Sequence, residues 1–218
     1  MHNKYKFIIF DLDGTLIDSQ KGILNSLEYS FKKLGIVISD KNSFKKYIGA
    51  NSLIKIYKDF GLAEEQALFG MNFFREYYTD RGIYEFEVYK GIKELLIELK
   101  ENGFLISLAT SKPTVFAEKI LKKMDLLKYF AYVEGSDLKE DPSYEKKDII
   151  KKVIGMSQIS DNNNFLMVGD RSYDIHGAVS NNIDSVFCEY GYSKKDELES
   201  LTPAYSVKSS FDLKEILL

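Results

Sequence analysis

Two aspartates separated by a leucine, Asp11 and Asp13, stand at the end of the apolar run Phe7-Ile8-Ile9-Phe10 and are followed by Gly14-Thr15. A second acidic pair ends another apolar run, in Val168-Gly169-Asp170-Arg171-Ser172-Tyr173-Asp174. Four carboxylates brought together at neutral pH repel one another, and a hard divalent cation bound by oxygen ligands resolves that repulsion. Magnesium suits such a site, because it takes a few carboxylates and leaves room for water and an oxyanion. Asp-x-Asp-Gly also opens calcium loops of the EF-hand type. Such a loop needs a glutamate at its twelfth position, which is Gly22 here, and should follow a helix. Taken alone, Asp170 and Asp174 also read as a helix cap and a solvated first-turn acid.

Thr110-Ser111-Lys112 ends a third apolar run just before Pro113, a residue suited to the first turn of a helix. A hydroxyl beside the fresh N–H groups of a helix start makes an anion site. Lys112 itself reads as an ordinary surface lysine. Further on, Ile149, Ile150, Val153 and Ile154 form an apolar helical stripe. Lys146 falls near its centre and Lys147 about 100° away, so Lys146 is the lysine expected to point inward. Buried there, it needs an anion or a carboxylate to receive its charge. His176 reads as a helix-surface residue, and Cys188 as a small apolar packing residue.

These residues must be held by strands. Phe7–Phe10, Leu105–Ala109, Ala131–Val133, Phe165–Val168 and Ser185–Cys188 are short apolar runs, as strands covered on both faces should be. From the second onward they are separated by helical patterns at 91–102, 113–124 and 174–181. The expectation is an α/β fold, a doubly wound parallel sheet with a Rossmann-like core and the acidic residues at the carboxyl edge where such sheets bind ligands. The long stretch between the first two strands exceeds any ordinary crossover and reads as four helical segments. It predicts a helical domain over 19–83 inserted into a core of 1–18 and 84–218. In that insertion Phe69, Phe73, Phe74, Tyr77 and Tyr78 recur at helical spacing, as core residues would.

Composition narrows the rest. A net charge of −3 with scattered lysines gives no basic stripe for a nucleic-acid polymer, and a single cysteine forbids an intrachain disulfide. No run approaches the roughly 18 apolar residues of a membrane span, and the N-terminus lacks a secretory pattern. A cytoplasmic monomer or weak dimer acting on a small metabolite is the expectation, a metabolite that the resemblance below implies to be phosphorylated.

In order along the chain, Asp11-x-Asp13-Gly14-Thr15, Thr110-Ser111, Lys146 and Asp170 with Asp174 resemble the signatures of the haloacid dehalogenase superfamily. The helical insertion is similar to that family's first-type cap, and Gly135-Ser136-Asp137 and Tyr190-Gly191-Tyr192 resemble its phosphoglycolate phosphatase and nucleotide 5′-phosphatase branch. The resemblance implies Asp11 as nucleophile and Asp13 as general acid and base. It implies Gly14, Thr110, Ser111 and Lys146 around the phosphate, and Mg2+ on Asp11, Asp13 (through its backbone carbonyl) and Asp170, supported by Asp174. It places a specificity loop at Gly49, Ala50 and Asn51. A carboxylate at position 13 argues against a dehalogenase. A sugar phosphomutase keeps both aspartates and is the nearer alternative. A non-catalytic or receiver-like phospho-aspartate protein is the more distant one, since receivers place their metal-binding acids ahead of the phosphorylated residue.

Overall fold

A computed structural model describes residues 4–48, 53–138, 145–193, 197–198 and 200–218. In chain order the elements are β1 (Phe7–Phe10), β2 (Ile17–Asp18), α1 (Gln20–Lys33), α2 (Leu53–Asp59), α3 (Glu64–Asp80), β3 (Glu87–Val88), α4 (Ile92–Glu101), β4 (Leu105–Pro113), α5 (Thr114–Lys123), β5 (Phe130–Ser136), α6 (Lys146–Met156), β6 (Phe165–Gly169), α7 (Ser172–Ser180), β7 (Asp184–Cys188), β8 (Tyr205–Val207) and α8 (Asp212–Leu217). Short 3-10 turns fill four of the connections, at Lys41–Tyr47, Gly82–Tyr84, Leu127–Tyr129 and Asn162–Asn164.

Six strands form one parallel sheet in the order β5-β4-β1-β6-β7-β8, and β2 with β3 forms a separate two-stranded ribbon. Central β1 is entirely apolar because it is covered on both faces. Phe7 and Ile9 pack with Phe165, Met167 and Ala109 against Ile149, Ile150 and Val153 of α6 and Ala178 of α7, while Ile8 and Phe10 point the other way and are equally buried. β1 pairs Phe7 with both Leu105 and Phe165, so the ends of β1, β4 and β6 are aligned. Helix α4 ends where Gly103 adopts φ 82°, the left-handed turn that glycine allows before β4.

The chain divides into two compact units, one of Met1–Asp18 with Val88–Leu218 and the other of Ser19–Glu87. The second boundary therefore lies four residues beyond the expected 83, because the turn Gly82–Tyr84 and Glu85 pack on α1: Gly22 N–H donates to Glu85 O at 3.0 Å, and Asn25 Nδ2 to Glu85 Oε2 at 2.7 Å. Within the inserted unit, α3 packs on α1 and α2 through Ala67, Gly70, Met71, Phe74 and Tyr78, the three- and four-residue spacing of a buried stripe. The aromatic core differs in part from expectation. Phe74 and Tyr78 are buried, but Phe69 lies on the solvent face at 52% exposure, and the densest ring cluster is Phe31, Phe44, Tyr57 and Phe60. The proposed specificity residues Gly49, Ala50 and Asn51 lie outside the described residues.

Candidate functional site

Strand β1 runs directly into the acidic loop. Asp11 N–H donates to Val168 O at 2.9 Å, which extends the β1–β6 ladder by one residue and fixes where the Asp11 side chain leaves the sheet. The chain then turns back on itself, with Gly14 N–H on Ile17 O at 2.8 Å and Leu16 N–H on Leu12 O at 2.9 Å. Gly14 sits at φ 83°, and a Cβ there would fall inside the Asp170 carboxylate. Glycine is thus required on two counts, conformation and space. Its N–H is engaged by Ile17, so this amide is not an open donor.

Asp170 follows β6, is fully buried, and receives Tyr192 N–H on Oδ2 at 2.7 Å, while Oδ1 has no hydrogen-bond partner. Asp174 lies one turn into α7. Its Oδ2 accepts from Arg171 N–H at 3.1 Å, closing the helix start, and it is fully buried rather than a solvated first-turn acid. Carboxylate oxygens of Asp11, Asp170 and Asp174 come within 4.8 Å of one another. Lys146 enters from the first turn of α6, where it occupies the same buried stripe as Ile149, Ile150 and Val153. Its Nζ donates to Asp11 Oδ1 at 2.7 Å and stands 2.8 Å from Asp174 Oδ1, the latter an ion pair without hydrogen-bond geometry. Lys147 faces outward and pairs with Glu145.

The electrostatics follow from burial. Desolvation, reinforced by Asp174 and Asp11, pushes the Asp170 carboxyl well above the usual carboxylate range. Desolvation likewise raises Asp174, to about 6, with Lys146 opposing the rise. For Lys146, burial favours the neutral amine, but the charges of Asp11 and Asp174 outweigh it and raise the ammonium above its ordinary value.

The structure corrects one reading outright. Lys112 is not a surface lysine: its Nζ lies 2.9 Å from Asp13 Oδ2, with side-chain exposures of 7% and 9%. No local pattern marks it, because its partner lies 99 positions away in the sequence. Thr110 is buried at the same edge, and its Oγ1 accepts from Lys112 N–H at 3.3 Å. Ser111 contributes its carbonyl to Ser136 Oγ at 2.9 Å. Glu197 was also missed. Its Oε1 receives Arg171 Nε at 2.7 Å, Ser172 N–H at 3.1 Å and Ser172 Oγ at 3.2 Å, tying down the start of α7 beside Asp170.

Fully ionised, the four buried carboxylates would exceed the two buried ammonium groups by two negative charges. That is the charge a divalent cation brings. Asp170 Oδ1 and Asp174 Oδ1 lack hydrogen-bond partners, and an all-oxygen donor set suits a hard ion. The residues present therefore fit magnesium, with Asp11, Asp170 and Asp174 offering carboxylates. Asp13 has one carboxylate oxygen, Oδ2, committed to Lys112.

The haloacid dehalogenase-like hydrolase model matches residues 8–188. The chain is 32% identical over 214 residues to a 5′-nucleotidase of Pseudomonas aeruginosa, covering 98% of this chain and 96% of that one. It is 28% identical to a phosphoglycolate phosphatase of Vibrio parahaemolyticus, over 97% and 96% of the two chains. A crystal structure of a Clostridium difficile protein superposes with a TM-score of 0.90 at 38% identity, covering 98% of this chain and 99% of that one. A match that begins inside β1 and ends at the last residue of β7 takes in every acidic residue and lysine of the cluster, and on that extent the chain belongs to the haloacid dehalogenase-like hydrolase family.

Proposed function

We propose that this hydrolase cleaves small phosphate monoesters through an aspartyl-phosphate on Asp11. The observation that carries the reading is the separation of the two aspartates of the β1 loop. Asp11 lies in the acidic cluster with Lys146 at 2.7 Å, whereas Asp13 is held outside it by Lys112 at 2.9 Å. Two carboxylates in different charge environments suit different tasks. In the first step an Asp11 oxygen attacks phosphorus, the ester P–O bond breaks, and Asp13 gives its proton to the departing alcohol. In the second, Asp13 takes a proton from water, the water oxygen bonds to phosphorus, and the Asp11 O–P bond breaks to release inorganic phosphate. Asp11, Asp170 and the Asp13 carbonyl, with Asp174 in support, would hold magnesium, which would supply charge neutralisation at the phosphoryl oxygens. Lys146 and Thr110 supply a positive charge and a hydroxyl for the same oxygens.

The relatives named 5′-nucleotidase and phosphoglycolate phosphatase make nucleoside 5′-monophosphates and phosphoglycolate the first substrates to try, with Gly49, Ala50 and Asn51 proposed to choose among them. The test is phosphate release from these esters with and without magnesium, by wild type and by Asp11→Asn. Wild type should require the metal and the variant should be inactive but folded. Undiminished turnover by Asp11→Asn would exclude covalent catalysis there, and formation of an isomeric sugar phosphate without free phosphate would favour the mutase.

A further inference from the structure

The Lys112–Asp13 pair joins the end of β4 to the loop after β1, and both side chains are almost wholly buried. Burying a charge pair is costly, so a lysine that could have been aliphatic is there to do something an aliphatic residue cannot. Its backbone is also fixed with unusual care. Lys112 N–H bonds Thr110 Oγ1, Ser136 Oγ donates to Ser111 O, and Gly135 N–H donates to Thr114 Oγ1 at 2.9 Å. A Cβ on Gly135 would drive into Lys112 O, so the end of β5 clamps the segment from which Lys112 reaches over. The ammonium takes Oδ2 of Asp13 and leaves Oδ1 buried and without a hydrogen-bond partner.

We propose that Lys112 is a positioning residue for proton transfer: it anchors one oxygen of Asp13, holds the carboxylate apart from the Asp11–Asp170–Asp174 cluster, and leaves the other oxygen to exchange the proton. Without it, Asp13 is free to turn toward the cation site, where a further carboxylate binds metal instead of a proton. The inference rests on the hydrolase reading above, in which Asp13 serves the leaving group, and it makes a demand that reading alone does not. Lys112 must matter in proportion to how badly the leaving group needs a proton.

The experiment compares kcat/KM for the better aliphatic ester among phosphoglycolate and the nucleoside 5′-monophosphates with kcat/KM for p-nitrophenyl phosphate, whose leaving anion departs without a proton. Wild type, Lys112→Met, Lys112→Arg, Asp13→Asn and the Lys112→Met/Asp13→Asn double variant are measured in saturating magnesium. Lys112→Met should lose about 100-fold on the aliphatic ester, the lower end of what general acid catalysis supplies, and no more than about 3-fold on the aryl ester. Lys112→Arg should recover part of the aliphatic loss, and adding Lys112→Met to Asp13→Asn should cost nothing further. Equal losses on both esters, or an additional loss in the double variant, would overturn the proposal. Should Lys112→Met not fold, the charge-retaining Lys112→Arg carries the test, because its smaller loss must still fall more heavily on the aliphatic ester and equality would overturn the proposal. A wild type inactive on every ester overturns the hydrolase reading itself, which the ester comparison alone does not.

Discussion

At the scale of single residues, Asp11, Asp13 and Asp170 were legible in the sequence because they follow apolar strands directly or within three residues, and Asp174 because it lies one helical turn past Asp170. Lys146 was legible because the helical stripe of α6 sets its direction. What was not legible is the pairing of distant charges: Lys112 with Asp13 and Arg171 with Glu197 are contacts made by the fold, and no local pattern distinguishes those residues from solvated ones. The burial of Lys146 between two carboxylates predicts that Lys146→Ala lowers kcat by at least roughly 100-fold, the scale of one lost transition-state contact. Lys147→Ala should stay near wild type, because its ammonium lies outside with Glu145. Steady-state kinetics of the two variants checks this, and a reversed ranking would move the role to Lys147. A second prediction concerns Asp174 in chelator. Its folded pKa of about 6 exceeds the unfolded 3.8, so the folded state holds the extra proton between those values. Stability from this group is fully present below pH 3.8 and is lost as pH rises through about 6. In EDTA, thermal melting from pH 4.5 to 7 should therefore fall more for wild type than for Asp174→Asn, and parallel curves would refute the assignment.

At the scale of elements, strands buried on both faces announce themselves as apolar runs, and three of the five were placed to within a residue, while β5 runs three residues past the expected Val133 to Ser136. The fifth, β4, continues through Pro113 alongside β5. The sixth, β8, went unread because it has three residues, lies at the sheet edge and exposes Tyr205 and Ser206, so its sequence carries no apolar run. The segment Lys41–Tyr47 is a 3-10 turn capped by Asp40, which accepts from Asn42 N–H at 2.9 Å. In the inserted unit the approach of α3 to α2 is set by one glycine. Tyr57 is fully buried and its hydroxyl donates to Gly70 O at 2.8 Å, while a Cβ on Gly70 would overlap the Tyr57 ring. Gly70→Ala should therefore destabilise the protein by about 1–3 kcal/mol, the usual cost of overpacking, despite the higher helix propensity of alanine. Chemical denaturation measures this, and an unchanged midpoint would mean the helices separate without cost.

For the whole molecule, the interrupted architecture was legible from the distance between the first two strands, although the exact end of the insertion was not, because the turn after α3 packs on α1 rather than on the sheet. The acidic cluster draws Asp11 from one end of the catalytic unit and Asp170 and Asp174 from near the other, so cation binding should couple to unfolding of that unit as a whole. At a magnesium concentration 100 times Kd the stabilisation is about 2.7 kcal/mol, or a rise in Tm of roughly 5–10 °C for a protein of this size. Calorimetry of wild type and Asp170→Asn tests it, and the variant should show little or no rise. The central place of β1 has a further consequence, during synthesis. The strand is made first, yet its two neighbours end at Pro113 and Gly169. At about 5–20 residues per second the ribosome takes roughly 10–30 s to deliver β6 after β1. For that interval Phe7-Ile8-Ile9-Phe10, four apolar residues with no charge among them, has no finished sheet to enter. The segment that later carries Asp11 at its end thus needs protection on the nascent chain, and Lys4 and Lys6 on one side with Asp11 and Asp13 on the other are the charges that guard it.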